Sequence, residues 1–301
     1  MTPLTLVLIV AGAVCAFCWI ASLVTKDTSW VDRLWSIAPV VYVWIFAVSG
    51  IIGSASGDAV SAGTEPGDWL VGAAGGDPVR LVVMALLVTA WGARLTFNFA
   101  RKGGYTGMED YRWAVLRGRM KPWQFQLFNL FFIVLYQNAL LVLITLPAFI
   151  AWQNPSPFTG WDAAFALLFA ALLVGEYVAD QQQWEFHQAK KAAGGTLEPG
   201  FVTTGLFRFS RHPNFFFEQA QWWVFYAIGA TAAVASGLGF WGGAANWTIA
   251  GAALLTLLFI GSTVFTESIT ASKYPAYAEY QRATSMLIPR PPRRRSAEAT
   301  A

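Results

Sequence analysis

The chain has 301 residues, of which 56% are hydrophobic and 12% charged, with 15 Trp and 23 Phe. Soluble domains carry about 25% charged residues, so a water-soluble fold with this much apolar surface to hide is excluded. The net charge of +3 reports an uneven spread of basic loops rather than nucleic-acid binding, which leaves an all-α, polytopic membrane bundle as the class.

About 20 apolar residues cross a bilayer, and on that measure the sequence predicts seven transmembrane helices, near 3–25, 36–53, 79–100, 124–152, 160–181, 214–237 and 247–267. The first has no Lys or Arg before Lys26 and no small-residue cleavage site, which reads as a retained span and not a signal peptide. Its Cys15 and Cys18 sit mid-span among Ala, Phe and Val with no further ligands nearby; helix packing explains them better than a metal site, and no metal is expected. Before the second span, Trp30-Val31-Asp32-Arg33-Leu34-Trp35 combines an ion pair with interfacial tryptophans, a pattern that suits the membrane boundary at least as well as catalysis. From Gly53 to Asp77 there is no Lys or Arg, only Asp58, Glu65, Asp68 and Asp77 among small residues, as expected of a flexible external loop.

Basic residues fall in alternate loops. Arg101, Lys102, Arg112, Arg117, Arg119 and Lys121 follow the third span, Lys190, Lys191, Arg208 and Arg211 follow the fifth, and Arg290, Arg293, Arg294 and Arg295 end the chain. Lys and Arg are retained on the cytoplasmic side, so the N-terminus is expected outside and the C-terminus in the cytoplasm. Residues 1–290 form one transmembrane domain on this reading, and 291–301 a basic disordered tail resting on anionic headgroups.

Three spans carry polar side chains at helical spacing. The third offers Arg94, Asn98 and Arg101; the fifth Glu176, Asp180, Gln183 and His187; the sixth Asn214, Glu218 and Gln221. Intervals of three and four place each set on one helical face. Charge inside a membrane needs a partner or a wet cavity, and Arg94 neutralised by Glu176 or Glu218 as a structural tie is one outcome. A site opening to the cytoplasm is the other: acids and amides along the inner half bond a carboxamide or ribose, and arginines at the rim hold phosphates. The sixth span follows Arg208-Phe209-Ser210-Arg211-His212-Pro213, and Pro favours the first helical position. His212 or a neighbour is then the cap, and the helix N-terminus faces cytoplasmic anions. The fourth span adds Tyr136, Gln137 and Asn138 near its middle, as interhelical glue or as donors to a polar group on a lipid-like substrate. Tyr274, Tyr277 and Tyr280 recur every three residues after Thr266-Glu267, which predicts a short interfacial helix with Arg282 reaching a phosphate.

The run Gly205-Leu206-Phe207-Arg208-Phe209-Ser210-Arg211-His212-Pro213-Asn214-Phe215, with Glu218, Trp222 and Trp223 after it, resembles the signature of the steroid 5-alpha-reductase C-terminal superfamily, and within it the uncharacterised bacterial membrane branch. Val31-Asp32-Arg33-Leu34-Trp35, Trp91-Gly92-Ala93-Arg94-Leu95, Gln137, Glu176 with Asp180, and Tyr277, Tyr280, Arg282, Thr284, Ile288 and Pro289 extend the likeness over about residues 27 to 290. The resemblance implies a seven-helix reductase using NADPH, held in the cytoplasmic half by residues of about 160–290. It carries cofactor contacts onto Glu176 and Asp180, with Glu176 where steroid reductases have Asn, onto Asn214 and Glu218, and onto Arg208, Arg211 and Tyr280 near the phosphates or nicotinamide. Arg94 joins this set on its position in the stripe of the third span, His212 as the candidate cap of the sixth, and Arg282 from the short interfacial helix. One departure stands out: the Gln-Glu pair and the Tyr that grip the steroid enone have no counterpart here, since the second span lacks a carboxylate and position 91 is Trp.

The expected activity is therefore reduction, by NADPH, of an activated carbon-carbon double bond in a hydrophobic sterol-like, isoprenoid or lipid substrate, with Tyr136 or Gln137 as the donor to its conjugated carbonyl. The bacterial inner membrane is the expected location, and the bilayer and a hydrophobic small molecule the expected partners; nothing in the sequence sets the oligomeric state. Isoprenylcysteine carboxyl methyltransferases share the Arg-His-Pro element and the Tyr-rich ending, so methyl transfer from S-adenosylmethionine is the alternative. A scaffold or transporter, in which the stripes only tie helices together, is the third.

Overall fold

The structure, a computed structural model, describes residues 1–56 and 78–292. The acids of the predicted external loop, Asp58, Glu65, Asp68 and Asp77, and the tail arginines Arg293, Arg294 and Arg295 lie outside the described residues.

Among the described residues there is no strand. The helices are α1 (Pro3–Thr25), α2 (Trp30–Leu34), α3 (Ala38–Ser56), α4 (Val79–Arg101), α5 (Tyr111–Arg119), α6 (Pro122–Phe128), α7 (Gln137–Gln153), α8 (Gly160–Ala192), α9 (Pro213–Ala235), α10 (Ile249–Lys273) and α11 (Tyr277–Ala283), with a π-helical stretch, Asn129–Tyr136, joining α6 to α7. Six stretches are long and apolar enough to cross a bilayer: Pro3–Thr25, Trp30–Ala55, Val79–Arg101, Pro122–Gln153, Gly160–Ala192 and Ile249–Lys273. This is an integral membrane protein. The sixth predicted span, α9, is 23 residues long, but Asn214, Glu218, Gln219 and Gln221 in its first turns keep it out of the apolar set. The fifth predicted span runs on to Ala192, because Gln, Glu and Lys sustain a helix past the point where hydropathy falls.

Local sequence explains several ends. Thr2 accepts the Thr5 amide at 3.1 Å and Pro3 occupies the first position of α1, the expected N-cap chemistry. Pro213 opens α9 as its ring dictates, with His212 just before it accepting the Phe216 amide at 3.1 Å.

The chain divides into two compact units, 1–169 with 222–255 and 170–221 with 256–301. In the first, α7 is the core: Leu140, Leu141, Ile144, Leu146, Ala148 and Phe149 are all buried. Lipid supplies no hydrophobic drive for helix pairing, so close approach of backbones matters. Gly229 of α9 lies against Pro147, where an added Cβ would stand 2.5 Å from the Pro147 carbonyl oxygen, and Gly251 of α10 sits as tightly on the Leu143 carbonyl. At the start of α4 the Arg80 guanidinium, 2% exposed, spends every donor. Nε and Nη2 take Asp162 at 2.7 and 2.8 Å, Nη1 takes Ser156 Oγ and its carbonyl at 2.7 and 3.1 Å, and Nη2 also takes the Pro157 carbonyl at 2.9 Å.

The ion pair expected between Asp32 and Arg33 is not the one formed. Arg33 pairs with Asp27 at 2.5 Å, and Asp32 accepts the Trp113 indole N–H at 2.9 Å. Adjacent helical residues point about 100° apart and do not face one another. The basic loop after α4 is likewise paired in part, Arg112 with Asp110 at 2.7 Å and Arg117 with Glu109 at 2.6 Å.

Candidate functional site

The second unit gathers most of the predicted cofactor residues. Its centre is Glu267, two turns from the end of α10 and 5% exposed. Arg211 grips it as a fork, Nε to Oε1 at 2.6 Å and Nη2 to Oε2 at 3.0 Å. His212 Nε2 lies 2.9 Å from Oε1, and since a carboxylate only accepts, that nitrogen carries the proton. Tyr277 donates to Oε1 at 3.1 Å and Gln281 Nε2 to Oε2 at 2.9 Å. Arg211 Nη1 also reaches the carbonyls of Gln281, at 3.0 Å, and Thr284.

This hub fastens the chain end. The Arg211 and His212 amides donate to the Ser285 and Met286 carbonyls at 2.8 and 3.1 Å, and the Arg290 amide to Phe209 at 2.9 Å. Ser210 Oγ bonds the Leu287 carbonyl at 2.7 Å. The predicted short helix is α11, and its rings pack as expected: Phe201 lies edge-on to Tyr277 at 4.9 Å and stacks on Tyr280 at 5.5 Å. Tyr280 donates to the Phe207 carbonyl at 2.5 Å. Burial pushes both phenols up, and the Glu267 carboxylate adds to that while Arg211 opposes it. Both therefore stay protonated donors at neutral pH.

Higher in the unit, Glu176 and Asp180 are each 2% exposed. Gln221 Nε2 donates to Glu176 at 2.6 Å, so the stripes of α8 and α9 do meet, and Glu218 is buried with them. The Gln182 side chain accepts the Leu206 amide at 2.8 Å and places the short 3-10 turn Gly205–Arg208. Arg208, on that turn, and Arg282, on α11, are exposed, while Asn214 in the first turn of α9 is half-buried.

Three predicted site residues belong to the first unit. Arg94 is half-buried on α4, one turn before Asn98, which accepts Arg101 Nη2 at 2.8 Å. Tyr136 donates to the Leu254 carbonyl at 3.4 Å and stacks on Phe132. Gln137 is 4% exposed at the start of α7.

Sequence reasoning placed Arg211 and His212 as anion ligands and passed over Glu267. In the structure both bind Glu267, and Arg211 has four of its contacts fixed within the protein. An acid near the end of an apolar span was the available signal, but its partners stand 55 and 56 residues away, beyond any local periodicity. Of the predicted cofactor arginines, Arg208 and Arg282 are the exposed ones.

Charged and amide groups held at this burial bind polar ligands or lock helices together. An uncharacterized protein of Schizosaccharomyces pombe, C594.04c, is 38% identical to this chain over 288 residues, covering 90% of this chain and 75% of the relative. That relative is fungal, so it gives no support to a bacterial inner membrane. No solved structure matches the chain. A family profile described as a protein of unknown function, DUF1295, matches residues 18–284, most of the described helices and the whole Glu267 hub, and the chain belongs to the DUF1295 family.

Proposed function

We propose that the chain is a membrane-embedded NADPH-dependent reductase of an activated carbon-carbon double bond in a hydrophobic substrate. The observation that carries this reading is Gln221. Its Nε2 is fixed on Glu176 at 2.6 Å, yet its Oε1 is buried without a hydrogen-bond partner. A buried acceptor with no donor is expensive unless something supplies one. The carboxamide N–H of a nicotinamide or a ribose hydroxyl fits that need, so the residues present suit the dinucleotide. The likeness of the Arg208–Phe215 run to the steroid 5-alpha-reductase superfamily points the same way.

On this reading Glu176, Asp180, Asn214, Glu218 and Gln221 hold the polar core of the cofactor. The N-terminus of α9, with Arg208 and Arg282, takes the phosphates through its free amides and positive end. Arg211, His212 and Tyr280 act behind them, fixing the segment that carries Arg208. The bound dinucleotide supplies the hydride. Tyr136 or Gln137 donates to the conjugated carbonyl and stabilises the enolate; the 3.4 Å bond of Tyr136 to Leu254 is long enough to exchange for a substrate. The topology that goes with this has α9 as a seventh span, the N-terminus outside and the C-terminus in the cytoplasm.

Mass spectrometry on protein extracted gently from its membrane tests the reading. Co-purified NADPH is the expected result. S-adenosylmethionine in its place transfers the chain to the methyltransferases, and no nucleotide at all favours a scaffold. Gln221→Leu should weaken NADPH binding about tenfold, the worth of one hydrogen bond of about 1.4 kcal/mol, read by quenching of tryptophan fluorescence. An unchanged Kd removes Gln221 from the site.

A further inference from the structure

The last turns of α8 and α10 bring two ammonium groups to one phenol. Lys190 Nζ donates to Tyr274 Oη at 2.6 Å and to the Gly200 carbonyl at 2.8 Å, and the ammoniums of Lys190 and Lys273 stand 4.8 and 5.4 Å from the centre of the Tyr274 ring. The ring itself is fixed. Phe201 packs against it at 6.0 Å, and Gly200, at a φ of +92° that favours glycine, lies so close that an added Cβ would overlap it. All of these residues belong to the second unit.

Lysines in a last turn ordinarily offset the helix dipole, and each of these does so for its own helix. That does not explain why two like charges share one ring. Among the described residues neither ammonium has a carboxylate within ion-pair distance; what answers them is a phenol oxygen, a carbonyl and an aromatic ring. The hydrogen bond from Lys190, together with the charge of both lysines, holds the Tyr274 hydroxyl below the usual phenol range. An oxygen that accepts from Lys190 still has its own proton to give, and no acceptor for that proton stands among the described residues. The corner therefore offers two positive charges and three donor groups with no negative charge to meet them, the complement of an anion with several oxygens.

Depth decides which anion. With 25 residues, α10 is about 37 Å long at the helical rise, whereas the hydrocarbon of a bilayer is about 30 Å thick and its headgroups extend it to about 40–45 Å. A helix of that length entering at one hydrocarbon edge ends among the headgroups of the other leaflet. We propose that Lys190, Lys273 and Tyr274 form a binding site for the phosphate of an anionic phospholipid. A phosphomonoester headgroup, with a charge of about −1.5 to −2 at neutral pH, meets two ammoniums better than a phosphodiester with a single charge. The site uses none of the residues assigned to the nucleotide, so it stands whether or not the second unit binds NADPH.

Native mass spectrometry of the full chain, released from detergent micelles with phosphatidic acid, phosphatidylglycerol or phosphatidylcholine at equal concentration, tests it. Phosphatidic acid should give the most abundant adduct, phosphatidylglycerol a weaker one and phosphatidylcholine the weakest. Lys273→Gln should lower the phosphatidic acid adduct about fivefold, the worth of one lysine at a charged surface. Tyr274→Phe leaves both charges in place and should lower it about as much, for one hydrogen bond. The phosphatidylcholine adduct, unchanged in both variants, reports that the fold is intact. Lys26→Gln removes the same charge from the exposed end of α1 and should change nothing. A loss there equal to that of Lys273→Gln overturns the proposal, because surface charge alone then does the binding, and so does a phosphatidic acid adduct that Tyr274→Phe leaves at full strength. Displacement by excess glycerol 3-phosphate or by NADPH overturns it too, the first assigning the corner to a free phosphate and the second to the nucleotide.

Discussion

Glu267→Ala will destabilise the second unit by about 3–5 kcal/mol, the range for removing one partner of a buried charge pair and stranding the other. The five hydrogen bonds that end on this carboxylate come from Arg211, His212, Tyr277 and Gln281. The Arg211 side chain is 9% exposed, so its charge has no ready recourse to water once Glu267 is gone. Glu267→Gln should fall nearly as far, since an amide neither neutralises the guanidinium nor accepts at both of its former donors. By contrast Tyr277→Phe removes one bond to a charged acceptor and should lose about 1.5–3 kcal/mol. Arg282→Ala, at an exposed position, should stay within about 0.5 kcal/mol. Unfolding midpoints of the four variants in one detergent rank them, and amide exchange at Arg211 and His212 gives the local readout, because their N–H groups donate to the Ser285 and Met286 carbonyls. Glu267→Ala no more damaging than Arg282→Ala refutes the hub.

Arg80→Ala should match that loss in the first unit. Asp162 is 0% exposed and also caps its own helix start, accepting the Thr159 amide and hydroxyl at 2.7 Å each. Without Arg80 its charge stays buried with only Thr159 to answer it, and the Ser156 and Pro157 carbonyls lose their donor. The expected effect is again about 3–5 kcal/mol. Arg80→Lys should recover little of it, because a single ammonium cannot reproduce the fork that meets both Asp162 oxygens and the two carbonyls. The double variant Arg80→Met with Asp162→Leu should be less damaged than Arg80→Ala, since an apolar pair carries no desolvation penalty. If the double loss equals the sum of the two single losses, the pair is not coupled, and thermal unfolding in nanodiscs decides between these outcomes.

These two clamps mark the boundary of what was legible in the chain. Asp162 stands in a predicted span without attracting notice, and Arg80 sits at the mouth of the third, yet neither has a neighbour in sequence that explains it; they are 82 residues apart. Glu267 was visible as an acid in an apolar run, and Arg211 and His212 as basic residues before a helix start, but their union was not. The Asp32–Arg33 pairing was legible and wrong, because adjacency along a helix is not adjacency in space. Against these, Pro213 at the head of α9, the short helix carrying Tyr277 and Tyr280, and the polar faces that carry Glu176 and Gln221 were all readable from spacing.

By itself the sequence determined that this is an all-helical membrane protein, where its apolar helices run, and which faces of them are polar. Those properties are local: hydropathy and the 3.6-residue turn act over one segment at a time. Only the tertiary structure decided that Arg211 serves Glu267 before any ligand, that Arg80 is locked on Asp162, and that Gln221 keeps a buried acceptor unanswered. A buried charge or amide announces from the sequence that it needs a partner, but the partner is chosen by how distant segments pack, and nothing in local spacing encodes that choice.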